Sequence, residues 1–182
     1  MASTALTNAV IREATPGDAA RLAVLARDTF VDTFGPDNTA EDMALYTASA
    51  FGEAIQRAEL LDPSNTVFVM ERGDEWMGYA MLRDGDAPAC VASANTIEID
   101  RLYVAKEHIG ARAGAALMRH CLERAAQVNK DTVWLNVWER NERAIRFYER
   151  WGFETVGTMP YILGNDHQTD YVMVKRVSEA ND

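Results

Sequence analysis

Cysteine is scarce. The 182 residues hold two, Cys90 and Cys121, far apart and in no metal-ligand spacing, and the three histidines (His108, His120, His167) form no HExxH or other two-ligand helix signature. A bound metal is therefore not expected, nor is a structural disulfide in a reducing compartment. Long apolar runs are missing too: nothing approaches the about 20 residues a bilayer-crossing helix needs. The opening MASTALTNAV has neither the basic n-region nor the apolar h-region of a secretory leader. A cytoplasmic protein with no membrane partner is the expectation. Positive charge is also short, 18 Lys and Arg against 28 Asp and Glu for a net −10, with a pI near 4.8. That balance argues against a nucleic-acid partner, because phosphate contacts need a basic surface. An acidic surface serves solvation and also draws cationic substrates at long range.

What the chain does have is apolar material, 48% of its residues. That is enough for one domain with a sizeable core. No repeat, low-complexity tract or linker divides it, so residues 10–177 read as a single domain between flexible ends, 1–9 and 178–182. Val10 to Ala14 reads as a strand, and Thr15-Pro16-Gly17-Asp18 as the cap of a helix marked by Leu22, Leu25, Ala26 and Phe30. A second helical region is expected from about Thr39 to Leu61. Thr66–Met70 and Trp76–Leu82 read as strands joined by a Gly73-Asp74 hairpin turn, with a loop over 84–94 and a strand over Thr96–Val104. Leu117, Met118, Cys121, Leu122, Ala125 and Val128 mark one face of a helix over about 112–129. A strand over Thr132–Trp138, a helix over Asn141–Arg150 closed by Gly152, and strands near Glu154–Val156 and Gln168–Val174 complete the pattern. The order predicts a mixed α/β fold (an α+β mixed sheet), with an antiparallel run feeding a strand-helix-strand crossover.

The strand over Thr96–Val104 carries an irregularity. Ile97 and Ile99 alternate with Glu98 and Asp100, and then the apolar positions change parity to Leu102 and Val104. A strand cannot switch faces without a bulge, so one is inferred near Asp100 to Tyr103, leaving backbone groups free to meet a ligand. Periodicity alone also allows Tyr103 to be a buried residue on a two-faced strand. The following Gly110-Ala111-Arg112-Ala113-Gly114-Ala115 is a small-residue turn into a helix. Such a turn lets backbone N–H groups approach an anion, a diphosphate for example, and equally lets a helix pack closely on a sheet. It is neither a Walker A loop nor GxGxxG.

Leu102-Tyr103-Val104, this turn, Asn141-x-x-Ala144-x-x-x-Tyr148 and the closing Phe147-Tyr148-Glu149-Arg150-Trp151-Gly152-Phe153 together resemble the GNAT superfamily of N-acetyltransferases. The likeness is strongest over Glu98–Phe153. It implies a central, mostly antiparallel sheet splayed between its fourth and fifth strands and flanked by helices. It implies acetyl-CoA as acyl donor, with the backbone of Leu102, Tyr103 and Val104 along the pantetheine arm. Gly110, Ala111, Arg112, Ala113, Gly114 and Ala115 would hold the diphosphate, and Asn141 the arm. The family pattern Q/R-x-x-G-x-G/A reads here as Ile109-x-x-Arg112-x-Gly114. Arg112 can add a charge-assisted bond to the diphosphate or obstruct the loop.

Transfer from a thioester to an amine needs a neutral amine, a polarised carbonyl and a protonated leaving thiolate. A primary alkylamine has a pKa of about 10, so it must lose a proton first. The resemblance assigns the base to Glu98, with Asp100 as second choice, and the proton donor to Tyr148. Arg143 and Arg146 are candidates for the nucleotide phosphate. Asn136, between Trp134 and Trp138, is a candidate for acceptor contact. Phe30-Val31-Asp32-Thr33-Phe34-Gly35, Asp37, Glu41, Asp42 and the segment Leu163–Asp170 resemble the polyamine-acetyltransferase-like branch. The expected partner is an amine-bearing acceptor, whether a small amine, a polyamine or a peptide N-terminus. A homodimer is common among such relatives. The competing reading is a non-catalytic acyl-CoA-binding sensor.

Overall fold

The computed structural model describes Leu6 and residues 8–177. The expected flexible ends fall outside these residues except for Leu6, Asn8 and Ala9, of which Leu6 and Ala9 rest against the main core. The chain runs β1 (Val10–Glu13), α1 (Ala19–Phe34), α2 (Ala40–Ala50), α3 (Glu53–Leu61), β2 (Asn65–Arg72), β3 (Glu75–Arg83), β4 (Thr96–Val104), α4 (Ala113–Gln127), β5 (Thr132–Trp138), α5 (Glu142–Arg150), β6 (Glu154–Leu163) and β7 (Asp166–Arg176). The strands form one seven-stranded sheet in the order β1-β2-β3-β4-β5-β7-β6. Every neighbouring pair is antiparallel except β4 and β5, which the α4 crossover makes parallel.

Sequence explains the layering. β3 is buried from Trp76 to Leu82, so its near-continuous apolar run belongs to a central strand covered on both faces. Leu117, Met118, Cys121 and Ala125 lay α4 against Met77, Ile97, Ile99, Val133 and Leu135 on one face. On the other face, Leu22 and Ala26 of α1 cover Val67, Val69, Tyr79 and Met81.

The expected single helical region over 39–61 is two helices. Phe51 leaves helical geometry to join the rings of Phe30 and Tyr46. The fully buried Gln56 then takes over the broken ends, accepting from Gly52 N at 2.8 Å and donating to Ala50 O at 3.0 Å. The last two strands are far longer than expected and form a hairpin turning at Gly164-Asn165. Pro160 and the polar 166–168 segment mask that pairing in the sequence. An edge strand tolerates proline, and β6 is the edge. Gly164 has φ +61, and a Cβ there would meet Asp42 Cα at 2.5 Å. Asp42 Oδ1 accepts from Asn165 N at 2.7 Å and ties α2 to this turn.

The parity switch in β4 corresponds to a bulge. Met81 pairs with Arg101 and Leu82 with Ile99, leaving Asp100 as the extra residue. Parallel pairing with β5 covers only Thr96, Ile97 and Glu98. From Ile99 onward the two strands diverge, and β5 continues against β7 alone.

Candidate active site

The divergence opens a cleft of about 860 Å³. One wall is β4 from Ile99 to Val104 and the other is β5 from Asn136 to Trp138. α1 and Tyr46 of α2 close one end, and the start of α4 with α5 closes the opposite end. Because Ile99–Val104 pair only with β3, their main-chain groups on the cleft side have no strand partner. Leu102 and Val104 pack toward α4, while Tyr103 turns the other way and stacks on Tyr79 with ring centroids 5.8 Å apart.

Beyond β4 the chain makes a short 3-10 turn at Lys106–His108, fixed to β3 where His108 Nε2 lies 3.0 Å from Glu75 Oε1. Gly110 then takes φ +88 and Arg112 φ +66 before α4 begins. The first α4 hydrogen bond runs from Ala116 N to Arg112 O at 3.0 Å, so the amides of Ala113, Gly114 and Ala115 are the free donors of the helix N-terminus. No acidic side chain occupies that first turn. Lys106, Arg112, Arg143 and Arg150 all line this end of the cleft, and none takes part in the ion pairs found among the described residues. In a chain of net charge −10 this is a local concentration of positive charge beside a helix N-terminus with no side-chain cap, a combination that favours a phosphorylated ligand. Arg112 occupies a left-handed conformation that costs a non-glycine residue about 1 kcal/mol or more. That explains why the family pattern has glycine there.

Of the residues expected at a donor site, Leu102, Tyr103, Val104, Gly110, Arg112, Ala113, Gly114, Ala115, Asn141 and Tyr148 all line the cleft, whereas Ala111 does not. Asn141, which lines the cleft, caps α5, its Oδ1 accepting from Ala144 N at 3.1 Å. Arg143 reaches the cleft; Arg146 instead pairs with Glu142 at 2.9 Å on the exposed face. Tyr148 is wedged between Phe147 and Phe153, at centroid distances of 5.5 and 5.9 Å. Desolvation pushes its phenol above the ordinary value, so it carries its proton throughout the neutral range.

The acidic side of the bulge is more divided. Asp100 lines the cleft, held by Arg83 at 2.7 Å and Arg101 at 3.4 Å. Glu98 is 9% exposed and does not line the cleft. Its carboxyl is pushed up to about 7, first by burial and then by Asp100, against the pull of Arg83 at 3.8 Å.

The opposite end gathers Phe30, Phe34, Asn136 and Asp170, which the sequence pointed to on the acceptor side, with Tyr46, Trp138 and Tyr161, to which it assigned no role. Phe30 stacks on Tyr46 at 4.5 Å, Phe34 meets Trp138 at 6.0 Å, and the Tyr46 and Tyr161 hydroxyls hydrogen-bond. Asn136 Nδ2 donates to Asp170 Oδ2 at 2.6 Å. Asp170 shares its parity on β7 with Val172 and Val174, which pack with Trp134. Among the described residues no group of three or more His, Cys, Asp and Glu is arranged to hold a metal, and no helix is long and apolar enough to cross a membrane.

Residues 25–153 match the sequence pattern of the Acetyltransferase (GNAT) family. The "Uncharacterized N-acetyltransferase in pepI 3'region" of Lactobacillus delbrueckii subsp. lactis is 31% identical over 170 residues, 93% of this chain and 98% of that protein. Among solved structures, the PaiA N-acetyltransferase of Thermoplasma acidophilum in complex with coenzyme A superposes with a TM-score of 0.77 at 19% identity, over 92% of this chain and 98% of that one. YncA, a putative acetyltransferase of Salmonella typhimurium with acetyl-CoA, gives 0.68 at 22% identity over 96% and 97%. At these identities the two structures show a common fold.

Proposed function

The chain belongs to the acetyltransferase (GNAT) family and is an acyltransferase, and from that premise we propose that it moves the acetyl group of acetyl-CoA to a primary amine by direct attack in a ternary complex. The observation that carries this reading is the coupling of two features in one cleft. The Asp100 bulge frees the β4 backbone from β5, and the uncapped amides of α4 stand at the end of the same opening.

Each residue then has a task its surroundings support. The amides of Ala113, Gly114 and Ala115, with Lys106 and Arg143 nearby, suit the diphosphate. Gly110, Arg112 and the Asn141 Nδ2 complete that end of the site. The free main-chain groups of Leu102, Tyr103 and Val104 suit the amide-bearing pantetheine arm, and a backbone N–H beside the bulge suits the developing oxyanion. As the amine nitrogen bonds to the acetyl carbon, the carbon–sulfur bond breaks and the thiolate takes the proton of Tyr148. The acceptor's extra ammonium proton first goes through water to Glu98, whose carboxyl titrates near neutrality and passes it to solvent. The second proton, lost from nitrogen as the amide forms, returns through water to the Tyr148 phenolate.

The reading is tested by amine-stimulated release of CoA thiol, with acetyl-CoA affinity measured in parallel. Amine-dependent release that collapses in Tyr148→Phe while affinity holds is the expected result. The left-handed Arg112 is the observation that favours a non-catalytic acyl-CoA sensor instead. Tight acetyl-CoA binding with no turnover across primary amines, polyamines and N-terminal peptides would favour that alternative.

A further inference from the structure

β7 carries an acid where its inward neighbour is apolar. Val172 is fully buried beside Trp134, and Asp170, two residues earlier on the same face, is 4% exposed. A carboxylate so removed from water is costly unless it is paired. Asn136 satisfies Oδ2 at 2.6 Å. Oδ1 is buried without any hydrogen-bond partner, and no ion pair among the described residues reaches Asp170. The residue nevertheless lines the cleft. The neighbouring acids differ: Asp100 is held by two arginines, and Glu59 receives both Arg101 nitrogens at 2.8 and 2.9 Å. A carboxylate that lines the cleft therefore keeps one acceptor oxygen with its donor missing, as befits a site that a ligand completes.

The surrounding walls narrow the ligand. Phe30, Phe34, Tyr46, Trp138 and Tyr161 line this end. Aromatic faces accept an apolar body and favour a cation near them. The acids of the helical segment add no second charge at depth. Asp42 is bound to Thr39 and Asn165, Asp37 and Glu41 do not line the cleft, and Asp32 is exposed at its rim.

We propose that Asp170, oriented by Asn136, receives the ammonium group of the acceptor, and that the acceptor is a primary amine on an apolar or aromatic body without a second charge. This rests on the reading of the cleft as an N-acetyltransferase site. Oδ1 accepts one N–H of the arriving ammonium and keeps an N–H of the neutral amine once the extra proton has left through water toward Glu98, while the rest of the molecule lies along the aromatic walls. Asn136 is a positioning residue that holds Oδ2 so that Oδ1 faces the cleft.

The test is calorimetric titration of the CoA-saturated full chain with 2-phenylethylamine, its neutral counterpart 2-phenylethanol, and spermidine. Wild type is expected to bind the amine about tenfold or more tightly than either comparator, the difference a charge-assisted hydrogen bond confers. Asp170→Asn should erase the preference for amine over alcohol, leave CoA affinity unchanged, and leave the melting temperature equal or higher because a buried unpaired carboxylate is gone. A purely structural Asp170 would lower that temperature. Asn136→Ala supplies a second variant, expected to weaken the amine about threefold or more and spare the alcohol. Equal binding of amine and alcohol by wild type, or a preference that survives in Asp170→Asn, overturns the assignment; tighter binding of spermidine overturns the single-charge acceptor. Absence of CoA binding would instead defeat the acetyltransferase reading, since the amine-over-alcohol comparison can also be made on the chain without CoA.

Discussion

The two ends of the cleft are built by different means. The α4 end offers main-chain amides freed by a bulge and a helix start, ringed by cations that pair with no described acid. The opposite end offers side chains: stacked rings, an Asn136–Asp170 hydrogen bond, and one carboxylate oxygen without a donor. Backbone donors survive side-chain replacement, so the first end is expected to keep its ligand with Ile109 and Arg112 where the family pattern differs. Side-chain contacts do not survive it, so the proposed acceptor end is the one that substitution would alter. A chain can thus keep a donor site and change its acceptor with few substitutions.

Several changes sharpen or break that contrast. The largest effect is expected at Tyr148, the proposed proton donor. Tyr148→Phe should lower kcat about 100-fold, the lower range for losing a general acid, with acetyl-CoA affinity unchanged. Stopped-flow thiol release beside equilibrium binding checks it, and a loss of binding alone would move Tyr148 to the donor end.

Glu98 comes next. Its folded pKa of about 7 lies above the usual carboxylate value, so the fold disfavours the charged form. Stability should fall as pH rises from about 4.5 through 7, and Glu98→Gln should remove that fall, a gain of about 3 kcal/mol at pH 8 that vanishes near pH 4. Denaturant unfolding at several pH values checks this. If Glu98 is the base, with Asp100 and Arg83 as its charged neighbours, wild-type kcat rises as pH passes about 7, and the Gln variant loses that step.

Smaller effects belong to the α4 end. Arg112→Gly should raise stability by about 1 kcal/mol through relief of the left-handed strain, and change acetyl-CoA affinity less than about threefold. A tenfold loss would make the guanidinium, and not the amides, the principal phosphate ligand. Arg143→Ala should weaken acetyl-CoA about threefold, with a shallower dependence on salt and no effect on amine affinity.

The same contrast explains what the sequence made legible. The bulge is written in the parity change from Ile99 to Leu102, and the turn into α4 in its run of small residues, because backbone geometry constrains neighbouring residue types. Gly73, Gly110 and Gly152 sit at the turns their positions suggest, all with positive φ. The acceptor end gave weaker signals. It gathers Phe30, Tyr46, Trp138, Tyr161 and Asp170 from five separate elements, and no local rule links them. The β6–β7 hairpin is longer than read because Pro160 sits on an edge strand, where proline costs no ladder bond. The break at Phe51-Gly52 was hidden because Gln56 does its capping from four residues downstream. Asp42 looked like one of a group of acids awaiting a cation, yet it serves the Gly164-Asn165 turn.

The most direct measurement follows acetyl-CoA and a primary amine together, counting free thiol and N-acetyl amide by mass spectrometry while both concentrations vary. Thiol and amide in equal amounts, with rates saturating in both substrates and intersecting double-reciprocal lines, is the outcome the account predicts. Thiol released without amide, parallel lines that indicate an acetylated enzyme, or acetyl-CoA bound without turnover would contradict it.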